Sequence, residues 1–398
     1  MERLRIIVTG FIGLYPTGGV TWDYIQYPLG LKLLGHDVYY IEDTGQYTTY
    51  RITDRAWNDP HDSVEYLKNT MEEFGLAGRW AYRDAFSNTC FGLSLETVLK
   101  ICSTADVFIN VSASSILREE YLKIPKRVLI DSDPMFTQVQ TFEDKQFIYE
   151  GLEKKKVGIL DYNYHFTFGE NIGADDCHIP DLNLNWTTTR QPVCLNLWQA
   201  DEVKNVRKGP KKFTTIMNWS TRSKLNYNNT EWGQKDVEFV RFLAIPKLFT
   251  EAEFDIVLSV SADFKKELNP EIIKQQGWKI SDPSQTISTA KEYTSFIAAS
   301  DGEFSVAKET YVKSVSGWFS CRSACYLAAG RPVITQETGW SKYIPVGSGL
   351  FSFSDEQSAI YALTEVTNNL EKHSAFAREI ANEYFDSGKV LTNLLNNL

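Results

Sequence analysis

The segment 316–353 constrains the fold most, because a loop, a helix, a turn, a strand and a second loop follow one another there without a break. Ser320 and Ser323 are candidate N-caps of the helix. Gly330 fits the C′ position, where a helix needs positive φ, and Pro332 prevents the helix from continuing. In an open α/β sheet, ligands bind at the carboxyl ends of strands and at helix N-termini. We therefore predict that this segment binds one substrate of an enzyme and that the rest of the chain holds the other.

Length and composition predict a globular protein of two domains. A chain of 398 residues exceeds one ordinary core, and 43% hydrophobic with 23% charged residues is typical of globular proteins. The net charge of −10 argues against a chain held mainly on nucleic-acid phosphates, although the basic run Lys204–Lys212 leaves a local groove open. The six cysteines lack further ligands at metal-binding spacing, so no metal site is expected.

Neither a targeting segment nor a membrane span is expected. The apolar run near the start has the length of a strand, and Gly10 and Gly13 interrupt it, which argues against a signal peptide. The sequence contains no apolar stretch of about 18 residues, the length that a transmembrane helix needs. These features predict a cytoplasmic protein.

The first part of the chain is predicted to form a βαβ unit. Arg5–Thr9 and His36–Ile41 are apolar strands, and a helix lies between them. The loop after the first strand lacks the compact G-x-G-x-x-G of dinucleotide-binding proteins. Gly18 and Gly19 still allow a ligand to approach the backbone closely. Asp23 follows near the helix start, where it either contacts the acceptor as a base or is a carboxylate favoured by the helix dipole.

A second acidic feature follows a later strand. Val107–Val111 and Arg127–Ile130 are predicted strands, and the second leads directly into Asp131 and Asp133. Such a pair can hold a divalent cation that bridges a diphosphate. The interpretation we favour is a carboxylate pair at the rim of a cleft, with one member capping a turn.

The second half repeats the α/β organisation. Phe213–Met217 is a predicted strand, and the loop after it contains Trp219 and Arg222 as candidate ligand contacts. A helix is predicted at Lys235–Phe249, and the last part of the chain, Gln357–Leu398, is predicted to form two helices.

Two motifs carry a resemblance to a known family. The predicted helix N-terminus is preceded by the turn Gly317, Trp318, Phe319 and Ser320. The run LAAGRPVI follows, and Gln336 and Glu337 come after its strand. This pattern resembles the donor site of glycosyltransferases with the GT-B fold, in which the turn binds the diphosphate and an acidic/Gln pair touches the sugar.

The resemblance extends over essentially the full chain. The pattern as a whole also resembles an uncharacterised bacterial-type branch of the family. It implies an α/β fold of two Rossmann-like domains facing each other across a cleft that contains the active site. We expect an acceptor domain at 1–195, a nucleotide-sugar donor domain at 196–375, and a helix at 376–398 packing back on the N-terminal domain. The glutamate common in the family's donor helix is absent, and Cys325 lies near its place.

The resemblance also implies roles at the donor side. Backbone amides after Gly317, together with Arg222 and Arg322, would stabilise the leaving diphosphate without a metal ion. Glu337 and Thr338 would hold sugar hydroxyls. The donor is expected to be a UDP-sugar, a co-substrate, and no further cofactor is expected.

The acceptor hydroxyl needs a base or a hydrogen-bonded path for its proton. Asp23 is the first candidate, and Asp131 or Asp133 is the second. The alternatives are a sugar-nucleotide epimerase on the same fold, a non-catalytic nucleotide-sugar binder, and a glycosyltransferase acting on a modified DNA base, which the acidic net charge disfavours.

Overall fold

The computed structural model describes residues 2–47, 56, 58–85, 87–144, 158–198, 209–220, 224–259 and 269–398. Arg222 and most of the basic run at 204–212 lie outside these ranges. The strands within them are β1 (Arg5–Val8), β2 (Asp37–Glu42), β3 (Trp80–Arg83), β4 (Cys90–Gly92), β5 (Val107–Val111), β6 (Lys126–Asp131), β7 (Tyr164–Thr167), β8 (Trp186–Thr188), β9 (Lys211–Asn218), β10 (Leu225–Tyr227), β11 (Thr230–Trp232), β12 (Ala252–Ser259), β13 (Trp278–Ser281), β14 (Gly302–Ser305), β15 (Val333–Gln336) and β16 (Leu350–Phe353).

Helices alternate with these strands along most of the chain. They are α1 (Gly18–Leu33), α2 (His61–Glu73), α3 (Leu95–Cys102), α4 (Glu119–Leu122), α5 (Phe136–Asp144), α6 (Lys235–Arg241), α7 (Ile245–Leu248), α8 (Pro270–Gln275), α9 (Pro283–Thr286), α10 (Ala290–Ala298), α11 (Glu309–Lys313), α12 (Cys321–Ala328), α13 (Glu356–Asn368), α14 (Leu370–Tyr384) and α15 (Ser387–Asn396).

The chain divides into two compact units. Unit 1 comprises Met1–Phe168, Pro180–Cys194 and Ser387–Leu398, and unit 2 comprises Gly169–Ile179 and Leu195–Asp386. The chain therefore enters unit 2 briefly after β7 before it returns to unit 1 for β8. The final helix, α15, packs against α1 within unit 1.

Unit 1 is built on one sheet, which we call sheet 1. Its strand order is β4-β3-β2-β1-β5-β6-β7-β8, and every pair is parallel except β3 with the edge strand β4. β1 and β5 consist almost entirely of buried residues, as expected for parallel strands covered by helices on both faces.

Unit 2 is built on a fully parallel sheet, sheet 2, of order β13-β12-β9-β14-β15-β16. Counted from β9, this is the strand order 3-2-1-4-5-6 of the Rossmann fold. β9 pairs with β12 along its full length, from Lys211 opposite Ala252 to Asn218 opposite Ser259. The predicted α/β class with two Rossmann-like domains is confirmed.

Aromatic side chains fill much of the core of unit 2. Phe213, Phe254 and Phe304 come from three neighbouring strands and are at most 2% exposed. Phe304 stacks on Phe353 of β16 with ring centroids 4.9 Å apart. This packing fixes the spacing of the strands whose carboxyl ends form the candidate site.

Three local features differ from the sequence prediction. The single helix predicted at Lys235–Phe249 is two helices, because Pro246 lies in the first turn of α7 and cannot continue the preceding helix. The two helices predicted at Gln357–Leu398 are three, α13 to α15. The short hairpin β10–β11, which turns at Asn228 and Asn229 in the left-handed region, was not predicted.

The end of α12 is as predicted. Gly330 has φ +69, and its N–H donates to the carbonyl oxygen of Leu327. No helix in the described ranges is long and apolar enough to cross a membrane.

The buried imidazole of His373 makes the stability of unit 2 sensitive to acid. His373 on α14 is 1% exposed, its Nδ1 accepts a hydrogen bond from Gly349 N at 3.2 Å, and its Nε2 has no hydrogen-bond partner among the described residues. Burial lowers its pKa, with a smaller contribution from Lys372. Because the folded pKa lies below the unfolded value, the unfolded state takes up the proton first, and stability is lost as the pH falls below about 6.5.

We expect His373→Asn to reduce the loss of melting temperature between pH 7.5 and pH 5.5 relative to the wild type. The measurement is thermal unfolding followed by circular dichroism at each pH. His61→Asn is the matched control, since His61 is solvent-exposed on α2. Identical pH profiles for the wild type and His373→Asn would contradict the assignment.

Candidate active site

The carboxyl edge of sheet 2 contains a topological switch point between β9 and β14. The chain continues from β9 to β12 on one side, whereas β14 lies on the other side of β9. In sheets of this order, ligands bind outside the carboxyl ends of the strands at this point. β14 and β15 end at Ser305 and Gln336, and α12 begins between them in sequence, at Cys321. This edge is the candidate site of unit 2.

The turn before α12 is joined to the loop after β15 by two hydrogen bonds. Gly317 N donates to Thr338 O at 2.6 Å, and Thr338 Oγ1 donates to Trp318 O at 2.7 Å. Gly317 has φ +76, and a Cβ atom there would lie 2.5 Å from Asn171 N, so glycine is required. The turn leads into Ser320, the N-cap of α12, whose side chain makes no capping hydrogen bond.

The N-terminus of α12 offers backbone N–H groups to a ligand. The first amides of any helix have no acceptor within the helix, and the helix dipole makes this end positive. The first turn of α12 contains no acidic side chain that would compete for these amides. Such a helix end is a ready anion site.

Trp318 and Phe319 have different surroundings. Trp318 is half-buried and stacks on Tyr311, with ring centroids 4.3 Å apart. Phe319 is 6% exposed and stacks on Phe385 at 5.2 Å. Trp318 thus remains partly accessible beside the turn, whereas Phe319 is a packing residue that anchors the turn.

Arg322 points into unit 2 beneath α12. Its side chain is 11% exposed, and its Nε donates to Glu303 Oε1 at 2.5 Å. Its other two nitrogens donate to Ile216 O and Ser305 Oγ. The guanidinium therefore ties the start of α12 to β9 and β14, and the predicted contact with phosphate is not the role that this geometry supports.

Gln336 and Glu337 make hydrogen bonds within unit 2. Gln336 is 1% exposed, accepts from Ala307 N at 3.1 Å and donates to Glu238 Oε2 at 2.5 Å. Glu337 is half-buried and accepts from Gly339 N at 2.6 Å. Gln336 therefore links the end of β15 to the loop after β14 and to α6, while Glu337 is placed at the edge with one oxygen engaged by its own loop.

The loop after β9 contributes less than predicted. Trp219 is 7% exposed, its N donates to Ser259 O at 2.8 Å, and its ring packs edge-on against Phe239 at 6.0 Å. It is a core residue rather than a ligand contact. Arg222, the other predicted contact in this loop, lies outside the described residues.

In unit 1, the predicted residues at the first loop lie on α1. The helix begins at Gly18, followed by Gly19, with Thr17 as its N-cap. Asp23 is half-buried and lies past the first turn, so it is not the N-terminal carboxylate that the dipole alone would explain. Its backbone oxygen accepts from Gln191 Nε2 at 3.0 Å.

Asp131 is a structural carboxylate. It is 1% exposed, and its Oδ1 accepts from Thr137 Oγ1 at 2.6 Å and from Asp133 N at 3.1 Å. Its Oδ2 accepts from Gln138 Nε2 and Thr167 Oγ1, both at 2.7 Å. Burial raises the pKa of this carboxyl. Both oxygens are therefore occupied by internal donors, and of the predicted pair only Asp133, which is half-buried, keeps a position for contact with a substrate.

The sequence analysis missed the role of Glu42 at the end of β2. Glu42 is fully buried and accepts from Gly13 N at 2.9 Å, Leu14 N at 2.6 Å and the Tyr40 hydroxyl at 2.8 Å. Burial raises its pKa to about 7. The carboxyl group fixes the loop before α1, and its position directly after an apolar strand was the available signal.

Within the described part of the chain, no group of three or more His, Cys, Asp or Glu side chains is arranged to hold a metal ion.

Comparisons with known proteins agree on the architecture. The sequence matches no known protein family, and no curated protein is significantly similar to it. Solved structures are similar over the full length. An α-glucosyltransferase in complex with UDP and a 13-mer DNA containing an HMU base has a TM-score of 0.59 at 12% identity, covering 100% of this chain and 99% of that chain.

HepE from Anabaena in complex with UDP and glucose has a TM-score of 0.56 at 10% identity, with 100% of both chains covered. A sucrose-phosphate synthase from Thermosynechococcus elongatus has a TM-score of 0.55 at 10% identity, with 99% of both chains covered. The chain therefore has the GT-B fold, which confirms the architecture that the motifs of the donor half predicted.

Arg322→Ala should destabilise the protein strongly, since Glu303 would remain buried without its partner. The expected loss is about 3–5 kcal/mol of unfolding free energy, measured by urea titration. Lys274→Ala is the control, because that lysine forms an exposed pair with Glu271 and should cost at most about 1 kcal/mol. Near-normal stability of Arg322→Ala together with a loss of nucleotide binding would restore the predicted phosphate contact.

Proposed function

We propose that the protein is a glycosyltransferase that moves a sugar from a UDP-sugar to an acceptor hydroxyl without a metal ion. The observation that carries the proposal is the turn Gly317–Ser320, which brings the N-terminus of α12 to the carboxyl edge of sheet 2. The fold is shared with enzymes whose solved structures contain UDP.

The chemistry fits the charge of this helix end. Glycosyl transfer breaks the bond between the sugar and a nucleotide diphosphate, so negative charge develops on the phosphate. Fixed backbone amides and a helix dipole stabilise such charge without reorganisation. The absence of an acidic residue from the first turn of α12 leaves this potential unopposed.

Two side chains, one in the turn and one in the loop after β15, complete the proposed donor contacts. The half-buried ring of Trp318, which stacks on the ring of Tyr311, offers an apolar surface next to the diphosphate. Glu337 is held by Gly339 N in the loop that is hydrogen-bonded to the same turn. Its other oxygen accepts no hydrogen bond from the residues that the structure describes, so it is suited to a sugar hydroxyl.

Asp23 is the proposed base for the acceptor. It is half-buried on α1, the helix that follows β1 at the carboxyl edge of sheet 1. Asp133 is the second candidate. Asp131 drops out of this role, because four internal donors occupy its carboxylate.

A DNA base is the second candidate acceptor. It is favoured by the likeness to an α-glucosyltransferase solved with UDP and DNA. The net charge of −10 opposes it. Salt-dependent binding to a duplex carrying hydroxymethylated bases would support this acceptor, whereas binding absent at low salt would eliminate it.

The proposed donor site can be tested by UDP binding. UDP should raise the melting temperature of the wild type, since a ligand that binds only the folded state stabilises it. Gly317→Ala should abolish the shift, because its Cβ atom would press against Asn171 N and displace the turn.

Calorimetry with UDP and a panel of UDP-sugars gives the affinities for both proteins. The matched control is Gly347→Ala, another positive-φ glycine but with open space around it. It should bind UDP as the wild type does despite some loss of stability. Equal UDP binding by all three proteins would contradict the proposed donor site.

A further prediction concerns the base. Asp23→Asn should lower the rate of sugar transfer by about 10²–10⁴-fold while leaving UDP affinity unchanged, because only proton transfer is lost. Transfer is measured by UDP release in the presence of EDTA against a panel of acceptors. Glu65→Gln, which alters an exposed carboxylate on α2, is the control. A turnover close to the wild type would reject Asp23.

A further inference from the structure

The short segment Gly169–Ile179, which interrupts unit 1 in sequence but belongs to unit 2, lies against the turn before α12. Asn171 N donates to Ser316 O at 3.1 Å, and His178 N donates to Ser314 O at 2.9 Å. These backbone hydrogen bonds lock the segment to the residues that lead into Gly317. The segment therefore packs directly against the turn.

The turn that it contacts is strained. Val315 has φ +48, in the left-handed region that a β-branched residue rarely adopts. Gly317, two residues later, also has positive φ, +76. Strained backbone persists only where its surroundings enforce it, and such sites are frequent where ligands bind. The strain lies immediately before the helix end that the proposed function assigns to the diphosphate.

The side chain of Asn171 is hydrogen-bonded to the strained backbone at Val315. It is 1% exposed, and its Nδ2 donates to Val315 O at 2.8 Å and to Asp176 Oδ1 at 3.0 Å. Its Oδ1 accepts from the Tyr343 hydroxyl at 2.8 Å and from Lys342 Nζ at 3.2 Å. Both ends of the amide are thus used, one as donor and one as acceptor, which a carboxylate or an aliphatic side chain cannot reproduce.

The Asn171 backbone also limits the turn from the other side. A Cβ atom on Gly317 would lie 2.5 Å from Asn171 N, so the two backbones are in van der Waals contact. Asn171 therefore holds Val315 by a side-chain hydrogen bond, Ser316 by a backbone hydrogen bond, and Gly317 by contact.

We propose that Asn171 is a positioning residue that holds the strained Val315–Gly317 turn, and with it the start of α12, in the conformation that binds a nucleoside diphosphate. The ligand in this proposal rests on the proposed function, whereas the hold on the turn does not. Asn171 acts through the turn and does not itself contact the donor.

The test uses Asn171→Asp, which keeps the acceptor atoms but loses the donor to Val315 O and to Asp176 Oδ1. Hydrogen exchange measured by mass spectrometry should become roughly tenfold faster in peptides covering 315–323, the effect of losing the hydrogen bond to Val315 O. The affinity for UDP should fall by about the same factor. Tyr343→Phe, a milder change that removes one donor to Oδ1, should act in the same direction and keeps the test valid if Asn171→Asp folds poorly.

A second substitution separates positioning from a general structural role. Val315→Gly removes the strain, because glycine adopts positive φ freely, so the turn should then need less enforcement. Adding Asn171→Asp to Val315→Gly should weaken UDP binding by less than threefold, a coupling that independent sites would not give. Asp176→Ala is the control, since it breaks the ion pair with Lys342 and removes the second acceptor of Asn171 Nδ2 but leaves both hydrogen bonds from Asn171 to the turn.

Unchanged exchange and unchanged UDP affinity in both Asn171→Asp and Tyr343→Phe would overturn the proposal. Equal losses of UDP affinity with and without Val315→Gly would overturn it as well. If the wild type binds neither UDP nor any UDP-sugar, the proposed function fails. The exchange of peptides 315–323 then still decides whether Asn171 holds the turn.

Discussion

The ion pair between Arg322 and Glu303 anchors the start of α12, and the candidate site depends on it. A helix end that binds an anion must leave its first amides open, so it cannot be held in place by them. In this protein a side chain anchors the helix instead. The guanidinium of Arg322 donates hydrogen bonds to Glu303, to Ser305 Oγ and to Ile216 O. The guanidinium thereby fixes the positive end of α12 over the carboxyl ends of β9 and β14 without engaging the backbone amides of the helix.

In the loops of unit 2, too, side chains hold the backbone in place. Most side chains around the turn make bonds within the protein: Thr338 joins it to the loop after β15, Gln336 links that loop to α6, and Phe319 packs against Phe385. In the proposed donor site, the groups that contact the ligand are largely backbone amides, with Trp318 and Glu337 beside them. A site built from backbone has a constraint of its own, because its geometry is set by dihedral angles. The glycine at 317 and the strained Val315 are consequences of that constraint.

The elements were more predictable than the roles of individual side chains. The apolar runs gave the central strands, and the position of Gly330 before Pro332 gave the end of α12, because these signals are local. The sequence did not reveal that Arg322 on α12 faces inward, since its partner Glu303 lies on a different element, β14. Nor did it reveal that Asn171 contacts Val315, which is far away along the chain. Asp131 was a candidate base because it ends a strand, and only the fold shows that Thr137, Gln138 and Thr167 occupy its oxygens.

Charge also distinguishes the two sheets as sites for a diphosphate. At the carboxyl edge of sheet 1, Glu42 and Asp131 are buried, bonded to uncharged donors, and shifted toward the protonated form. Placing a diphosphate near them would add negative charge where the protein already disfavours it. At the carboxyl edge of sheet 2, the buried carboxylate of Glu303 is paired with Arg322, and the first turn of α12 contains no acidic side chain. This difference supports the proposal that unit 2 binds the leaving group of a nucleotide sugar. It also supports the proposal that unit 1, with Asp23 as the base, binds the neutral hydroxyl that must give up a proton.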